Sequence, residues 1–593
     1  MSKKNFSKEI FAYGIPMEHQ PISFLKLLGP HKLKMFFGLL ALVITNLLAV
    51  SLPSLINSGI ELLKNSGERR VTILFSKWIF HDVLSVIACI IILALFGAVV
   101  RTLSRILIFD VGRMVERDLR EEIIKHVSGL DDNFFSHFLV GDILNHLTSD
   151  VNNIRMMAGF VLLSIFNMLI VFIFSVPLLF KIDMILALCA LLPFPLVMFA
   201  TRRLTRRVFE ATKNYQACLG AVVNRVQENL SGAHLIRLFH QQDAEAQRFY
   251  TTNNDAYEAG VRLAKLRNLM LPTMRLMIGF AIALVLFVGG NMIFMGHLGV
   301  GDLVEVNARI LQLTWPAMSL GFVISIMSRG KASIVRINEI LKSRPIIIDG
   351  SDEISAIHQI HVSNLKLNKE NKIPLNFKLH AGEMLGVVGP SGSYKTSLLK
   401  MLYRRVVVDP GKIFYNQHDI INLQLNSISK NICVVAQEPF LFHRSIRDNI
   451  NFFAPHASEE DLVKVIAQVS LDKDIKNFSQ GLDTVIGERG VTLSGGQRQR
   501  VALARALLAN KSLLILDDAL SAVDAQTEEH ILSSIKETLK DRVVIVATHR
   551  LSAIKDAQQI LVLDAGDVVA RGNHQQLLES NILYQELWGE RYA

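Results

Sequence analysis

The sequence predicts an α-helical membrane domain with six spans, followed by a soluble α/β domain. Long apolar runs fill the first 330 residues, whereas short β-type runs alternate with helical segments after Arg329. Of the 593 residues, 50% are hydrophobic and 20% are charged, which excludes a disordered chain, a fibrous repeat and a disulfide scaffold. The four cysteines are scattered without metal-ligand spacing, which indicates free thiols in a reducing compartment.

Six segments are apolar enough to cross a hydrocarbon core of about 30 Å, which takes roughly 20 residues in a helix. The fourth is short and contains Pro193 and Pro195, so we expect a kink there. The 34 residues before the first span lack a small-residue cleavage site and do not resemble a removable signal peptide. The predicted spans are Met35–Asn57, Val83–Phe109, Ala158–Phe180, Ile182–Thr201, Leu271–Phe294 and Leu303–Ser328.

Lysine and arginine set the orientation of these spans. With the N-terminus in the cytoplasm, the inside segments 1–34, 110–157 and 202–268 hold 22 Lys and Arg residues, and the outside loops hold five. This bias predicts that both termini are cytoplasmic. Basic loops beside membrane spans also explain the net charge of +10, so we expect no nucleic-acid partner.

The two long inside connections, 110–157 and 202–268, have the apolar spacing of helices that continue the spans into the cytoplasm. Both have apolar residues near their middle, at Phe134-Phe135 and at Leu235–Phe239. Each connection could be a self-contained helical hairpin, or its tip could dock on a cytoplasmic domain. The presence of such a domain in the chain favours docking.

A phosphate-binding loop follows the apolar strand Met384–Val388, in the order strand, loop, helix that this motif requires. Backbone N–H groups of the loop would hold phosphates at the positive end of the next helix. Lys395 would reach the β- and γ-phosphates, and Thr396 would bind Mg²⁺. The motif departs from its usual form at Tyr394, where glycine is expected. Its residues are Gly389, Pro390, Ser391, Gly392, Ser393, Tyr394, Lys395 and Thr396.

A second apolar strand ends in Asp517 and Asp518, which suits the delivery of carboxylates to a phosphate-bound metal. Between the two strands, Ser494 and two glycines open a helix and form a second anion site. A single ATP cannot occupy both anion sites. Two such domains packed head to tail resolve this, because each then completes the other's site.

These motifs resemble those of the ATP-binding cassette (ABC) transporter family, and the resemblance covers the whole chain. It implies an ATP- and Mg²⁺-dependent P-loop NTPase cassette, in which Ser494, Gly495, Gly496 and Gln497 form the signature that serves a partner's ATP. It also implies that Gln437 touches Mg²⁺, that Asp517 supports the metal, that Asp518 is the base, that Asp524 lies in the loop between two cassettes and that His549 senses the γ-phosphate.

The membrane half resembles a type IV exporter, most closely the A-type subunits of bacterial multidrug-resistance-like half-transporters, which pair with a B-type chain. The resemblance implies a cytoplasmic-membrane protein with its cassette in the cytoplasm. It also implies coupling helices near Phe134–Gly141 and Gln227–Phe239 that dock on the cassettes. The expected domains are a lead at 1–34, a membrane domain at 35–330, a linker at 331–355 and a cassette at 356–593.

Three positions depart from a hydrolytically competent cassette. Asp518 replaces the usual glutamate base and is one methylene shorter, Tyr394 adds a side chain beside the phosphates, and Lys369 stands where an aromatic residue usually stacks on adenine. Each alone could be neutral drift. Together they fall on one nucleotide site, whereas the signature that serves the opposite site is intact. This asymmetry predicts a heterodimer with one weak site.

The sixth predicted span places Glu305, Arg309 and Gln312 on one helical stripe. They could line a cavity for amphipathic substrates, or Glu305 and Arg309 could form an intrahelical pair without a ligand role. The sequence therefore predicts an ATP-driven exporter of amphipathic small molecules, multidrug or lipid-like. The alternatives are a homodimeric lipid or peptide exporter, and an ATP-gated regulatory subunit.

Overall fold

The computed structural model describes residues 21–64, 69–73, 76–368, 373–487, 493–538 and 541–589. The chain forms two compact units. The membrane unit comprises His19–Ile123 and Gly141–Lys342, and the cassette unit includes Ile124–Val140 and Ser343–Ala593.

Long helices make up most of the membrane unit. A β-hairpin of β1 (Arg69–Ile73) and β2 (Ser76–Phe80) joins the first two of them. The helices that the structure describes up to residue 342 are α1 (Phe24–Leu28), α2 (Lys32–Lys64), α3 (Val83–Val127), α4 (Asp132–His137), α5 (Val140–Ile182), α6 (Met184–Leu191), α7 (Pro193–Ser231), α8 (Ala233–Leu238), α9 (Gln242–Phe294) and α10 (Val300–Lys342).

Among the described residues, four helical segments are long and apolar enough to cross a membrane: Phe24–Lys64, Val83–Val127, Val140–Ile182 and Val300–Lys342. The fourth and fifth predicted spans are helical in α6–α7 and α9, but their apolar parts are shorter. These parts are Met184–Leu196 and Ile278–Phe294. The expected kink in the fourth span is a helix break at Leu192, and Pro193 is the first residue of α7, a position that proline favours.

The long cytoplasmic connections are helical extensions of the spans, as predicted, since α3, α5, α7 and α9 all continue into them. Short helices lie at both tips, α4 in one connection and α8 in the other. The predicted linker at 331–355 differs from the structure, because α10 continues to Lys342. Ile337, Ile340 and Leu341 have helical spacing and are buried, so packing extends the helix beyond the membrane.

The cassette unit contains two sheets flanked by helices. Its described strands are β3 (Gln359–Leu365), β4 (Leu375–His380), β5 (Met384–Val388), β6 (Ile413–Tyr415), β7 (His418–Asp419), β8 (Ile432–Val435), β9 (Leu513–Asp517), β10 (Val543–Ala547), β11 (Gln559–Asp564) and β12 (Asp567–Gly572). Its described helices after residue 342 are α11 (Lys395–Leu402), α12 (Leu425–Asn431), α13 (Ile446–Ile450), α14 (Glu459–Gln468), α15 (Asp472–Asn477), α16 (Gly495–Leu508), α17 (Ala525–Glu537), α18 (His574–Ser580) and α19 (Ile582–Gly589).

The larger sheet has the order β12-β11-β5-β10-β9-β8, and its five strands from β11 to β8 are parallel. The smaller sheet is antiparallel, in the order β4-β3-β6-β7. Successive residues of β9 face opposite cores: Leu513 and Ile515 pack on one side, and Leu514 and Leu516 on the other. Both faces are therefore covered, which explains why the strands are apolar without alternation.

Candidate functional site

The predicted nucleotide motifs meet at one edge of the parallel sheet. The phosphate loop follows β5, His549 follows β10, Asp518 follows β9 and Gln437 follows β8, and these four strands are consecutive neighbours in the sheet. The carboxyl ends of parallel strands form a shared edge, which is the usual place for a ligand in such folds. Sheet order thus brings together residues that are up to 160 positions apart.

The phosphate loop closes on itself around Lys395. The ammonium donates to the carbonyls of Gly389 (2.7 Å) and Pro390 (2.9 Å), and burial lowers the pKa of this lysine. Gly392 has φ +82°, a left-handed conformation that glycine adopts freely. Tyr394 is also left-handed, at φ 69° and ψ 21°. For a residue with a Cβ, such a conformation costs on the order of 1–3 kcal/mol.

The residues predicted to bind the metal are neighbours. Thr396 Oγ1 donates to Asp517 Oδ1 over 3.3 Å. Burial raises the pKa of Asp517, and the adjacent Asp518 raises it further, whereas the Thr396 hydrogen bond and the positive charge of Lys395 lower it. Two oxygen side chains beside the phosphate loop form the hard-donor environment that Mg²⁺ prefers.

The carboxylate of Asp518 has three partners. His549 Nδ1 lies 2.9 Å from Asp518 Oδ1, Thr548 Oγ1 donates to the same oxygen over 3.4 Å, and Gln437 Nε2 donates to Oδ2 over 3.4 Å. The backbone of Asp518 is left-handed, at φ 48°, and its N–H donates to the carbonyl of Ala547. The short carboxylate is therefore held at the ends of β8, β9 and β10.

These residues enclose a cavity of about 610 Å³. It brings together every residue of the predicted phosphate and hydrolysis site except Gly389 and Pro390. Its lining residues are Ser391, Gly392, Ser393, Tyr394, Lys395, Thr396, Ser397, Gln437, Asp517, Asp518 and His549. Lys369 lies outside the described residues.

The signature is a separate site, because its residues do not line this cavity in the described part of the chain. Ser494 caps α16 by accepting from the N–H of Gln497 (3.2 Å), and the Gln497 side chain accepts from the N–H of Ser494 (2.9 Å). This reciprocal pair is a capping box. A Cβ on Gly496 would lie 2.7 Å from the carbonyl of Ala522, so only glycine fits there. Ser494 is exposed at the positive end of α16.

Sequence reasoning missed Gln499, which connects three motifs. Its amide nitrogen donates to the carbonyl of Gln437 (3.2 Å) and to Ser521 Oγ (3.0 Å), and its oxygen accepts from the N–H of Ala522 (3.0 Å). The side chain is buried. A glutamine two positions after a signature gives no signal by itself, and only packing shows its role.

Arg550 was also missed, although it directly follows His549. Its guanidinium donates to the carbonyl of Val523 (2.7 Å) and to Glu528 Oε2 (2.7 Å). Asp524 lies between these partners and caps α17 by accepting from the N–H of Thr527 (3.0 Å). This hydrogen bond lowers the pKa of Asp524. Arg550 thus fixes the loop that the resemblance places between two cassettes.

The predicted coupling tip at α4 belongs to the cassette unit. Arg405, just after α11, lies 3.4 Å from Asp132, and Asp131 accepts from the backbone N–H groups of Ile346 and Ile347. The tip of the first connection therefore docks on the cassette. In the second tip, α8, Leu235 and Leu238 are exposed.

The polar stripe of α10 is mostly buried within the membrane unit. Arg309 is completely buried, and its Nε lies 3.1 Å from Glu305 Oε1. Both residues also bond to Ser54 of α2. Gln312 is half-buried and accepts from Ser175. Glu305 and Arg309 thus form the intrahelical pair of the second interpretation, and through Ser54 they also join α2 to α10.

Comparison with known proteins gives matches over both units. Residues 35–317 match the family model described as ABC transporter transmembrane region, and residues 373–521 match the one described as ABC transporter. A solved structure of a bacterial Atm1-family ABC exporter with ATP bound superposes with a TM-score of 0.75 over 95% of this chain and 98% of that one. At 24% identity, it shows the shared fold.

Curated relatives align over most of their length. The probable multidrug resistance ABC transporter ATP-binding/permease protein YheI of Bacillus subtilis is 33% identical over 81% of this chain and 83% of its own. The multidrug resistance-like ATP-binding protein MdlA of Escherichia coli is 32% identical over 86% and 87%. The ATP-dependent lipid A-core flippase of Syntrophus aciditrophicus is 29% identical over 95% and 93%.

Proposed function

The chain belongs to the ABC transporter family, and from this premise we propose that it is one half of a heterodimeric exporter of amphipathic small molecules, multidrug or lipid-like. As a member of that family, it couples ATP hydrolysis to transport and is a multi-pass protein of the bacterial cytoplasmic membrane with its cassette in the cytoplasm. The substrate class is supported by the names of the relatives, which are multidrug-resistance-like proteins and lipid A-core flippases.

The pairing with a different chain is supported by the contrast between the two anion sites. Asp518 is bound by Gln437 and His549 and is one methylene shorter than the usual base. A base must lie within about 2.6–3.2 Å of the proton that it removes, directly or through one water. The signature, in contrast, has a complete capping box and an exposed Ser494. The chain's own site is therefore weak, and its signature completes a working site on the partner.

Mg²⁺ belongs to the proposed site because the donors fit it. Thr396 Oγ1 and Asp517 Oδ1 are oxygen ligands 3.3 Å apart beside the phosphate loop, and Gln437 adds an amide oxygen to the same cavity. When bound, the ion neutralises charge on the β- and γ-phosphates. Lys395 would position the same phosphates, and His549, which lines the same cavity, would contact the terminal one.

Copurification and ATPase assays test the pairing. A tagged chain expressed in its native host is expected to copurify with a second, non-identical half-transporter. The chain alone is expected to hydrolyse ATP at a small fraction of the rate of the assembled pair. Full-rate hydrolysis by a homodimer of this chain would overturn the proposal in favour of the homodimeric lipid or peptide exporter. In vesicles, uptake that needs ATP binding but not hydrolysis would support the regulatory subunit instead.

A further inference from the structure

Tyr394 connects the phosphate loop to the segment that follows β3 of the antiparallel sheet. It is the residue before α11, so its backbone lies beside the phosphate-binding amides. Its hydroxyl accepts from Asn368 Nδ2 over 3.3 Å. Asn368 comes three residues after the end of β3. The phenol side chain therefore links the phosphate loop to the segment just after β3.

This ring has the exposure and the surroundings of a ligand contact. Tyr394 is 38% exposed and lines the 610 Å³ cavity, together with polar and small side chains. Among the described residues of that lining, it is the only phenylalanine, tyrosine or tryptophan. A large ring that is neither packed in a core nor fully in solvent offers a flat apolar face to whatever enters the cavity.

The left-handed backbone determines where this face lies. Glycine at position 394 would leave this position without a side chain. The residue directly after Asn368 is a lysine, which has no ring to stack. The chain therefore has no aromatic ring at position 369, where the resemblance leads one to expect it. It has an additional ring at Tyr394, whose hydroxyl lies beside Asn368. A nucleotide whose phosphates lie at Lys395 and Thr396 would extend its base along that ring.

We propose that Tyr394 is the base-stacking residue of this chain's own nucleotide site. The inference rests on the proposed function, since it gives the weak site a means to hold a nucleoside triphosphate that Asp518 hydrolyses poorly. Stacking does not depend on the identity of the base, because every base has a π-face. The site should therefore take purine nucleoside triphosphates with little selection between them.

The ratio of the affinities for ATP and for inorganic tripolyphosphate measures the contribution of the contact between Tyr394 and the base. Both ligands need the phosphate loop, and only ATP has a base. The purified full-length chain would be titrated with each by displacement of a fluorescent nucleotide. Tyr394→Leu, which retains an L-residue in the left-handed position, is expected to lower the preference for ATP about 10-fold, as loss of one base stack does. Tyr394→Phe is expected to keep the preference within about 3-fold, since the ring remains.

Lys395→Ala is the matched control. This variant is expected to weaken the binding of both ligands, since both bind through their phosphates, and to leave the ratio of the two affinities unchanged. An unchanged or increased ratio in Tyr394→Leu would overturn the proposal, because the ring would then be remote from the base or would block it. A native chain that binds neither ligand at millimolar concentration would overturn it as well.

Photolabelling tests the same contact without a variant. The native chain would be irradiated with 8-azido-ATP and digested, and the labelled peptide is expected to contain Tyr394. Label confined to other peptides contradicts the proposal. Fast ATP hydrolysis by the chain alone, combined with label on Tyr394, would remove the weak-site proposal and leave the stacking role intact.

Discussion

The Nδ1 atom of His549 lies 2.9 Å from the Oδ1 atom of Asp518, across the ends of two neighbouring parallel strands. The contact joins the residue proposed as the base to the residue proposed to sense the terminal phosphate. It is possible because Asp517 pairs with Ala547 in the sheet, so the residues that follow each strand emerge side by side. The weak site that we propose requires this carboxylate, held by the histidine and by Gln437, to lie too far from the attacking water.

Lengthening this carboxylate is expected to restore hydrolysis. In Asp518→Glu the extra methylene lengthens the reach of the carboxylate, and a displacement of about 1 Å can change a rate about 100-fold. The ATPase rate of the purified chain should therefore increase by roughly 10- to 100-fold, measured as phosphate release. Asp518→Asn, which has the original length and no charge, should show no increase. A glutamate variant no faster than the native chain contradicts the assignment of Asp518 as a short base.

Removal of the signature hydroxyl is expected to act on the partner's site. Ser494→Ala removes the hydroxyl that we propose donates to the partner's phosphate. Loss of one donor in an oxyanion hole costs about 100-fold, so the ATPase rate of the two-chain complex should fall by about that factor. Ser458→Ala is the matched control. Ser458 caps α14 by accepting from the N–H of Asp461 (3.1 Å), as Ser494 caps α16.

Both alanine variants lose about 1 kcal/mol of helix-cap stability, and only Ser494→Ala should lose activity. Equal ATPase rates for the two variants would show that Ser494 has a capping role alone.

Arg550 is expected to contribute strongly to the stability of the cassette. Its partner Glu528 is 3% exposed, so Arg550→Ala leaves a buried carboxylate without its cation, which costs about 3–5 kcal/mol. The transition of the cassette in thermal unfolding should shift downward accordingly. Arg447→Ala is the comparison, because Arg447 pairs with the exposed Glu459 and Asp483, and such surface pairs contribute about 0–1 kcal/mol. Similar shifts for both variants would mean that the Arg550 pair is no stronger than a surface pair.

Variants of the buried pair Glu305–Arg309 in α10 test whether the pair has a structural role or contacts the substrate. Glu305→Leu alone leaves the buried guanidinium of Arg309 without its carboxylate and should destabilise the membrane unit by about 3–5 kcal/mol. The double variant Glu305→Leu/Arg309→Leu should recover most of that loss. Thermal unfolding in detergent measures both. If the pair only joins α2 to α10, the double variant should transport the same substrates as the native chain. A changed substrate range would instead support the cavity interpretation.

In the membrane unit, the sequence predicted the helices but not all of their lengths and contacts. Apolar length predicted the helices, but it did not show that α10 continues through residues 331–342. The apolar run of the sixth span ends at Ser328, whereas the helix beyond it is stabilised by packing of Ile337 and Ile340. Likewise, helical spacing placed Glu305 and Arg309 on one stripe, and the contact with Ser54 of α2 depends on which helices are neighbours.

The local motifs were determined by the sequence alone, since a phosphate loop, a strand that ends in carboxylates and a capped signature helix each depend on residues within a few positions of one another. The tertiary structure brings these motifs together through the strand order β5-β10-β9-β8. Because these parallel strands are neighbours, His549, Asp518 and Gln437 lie around one cavity. The same holds for Gln499 and Arg550, whose partners lie 22 to 62 residues away in the chain. Such contacts are specified by the packing of whole elements, and no local pattern encodes them.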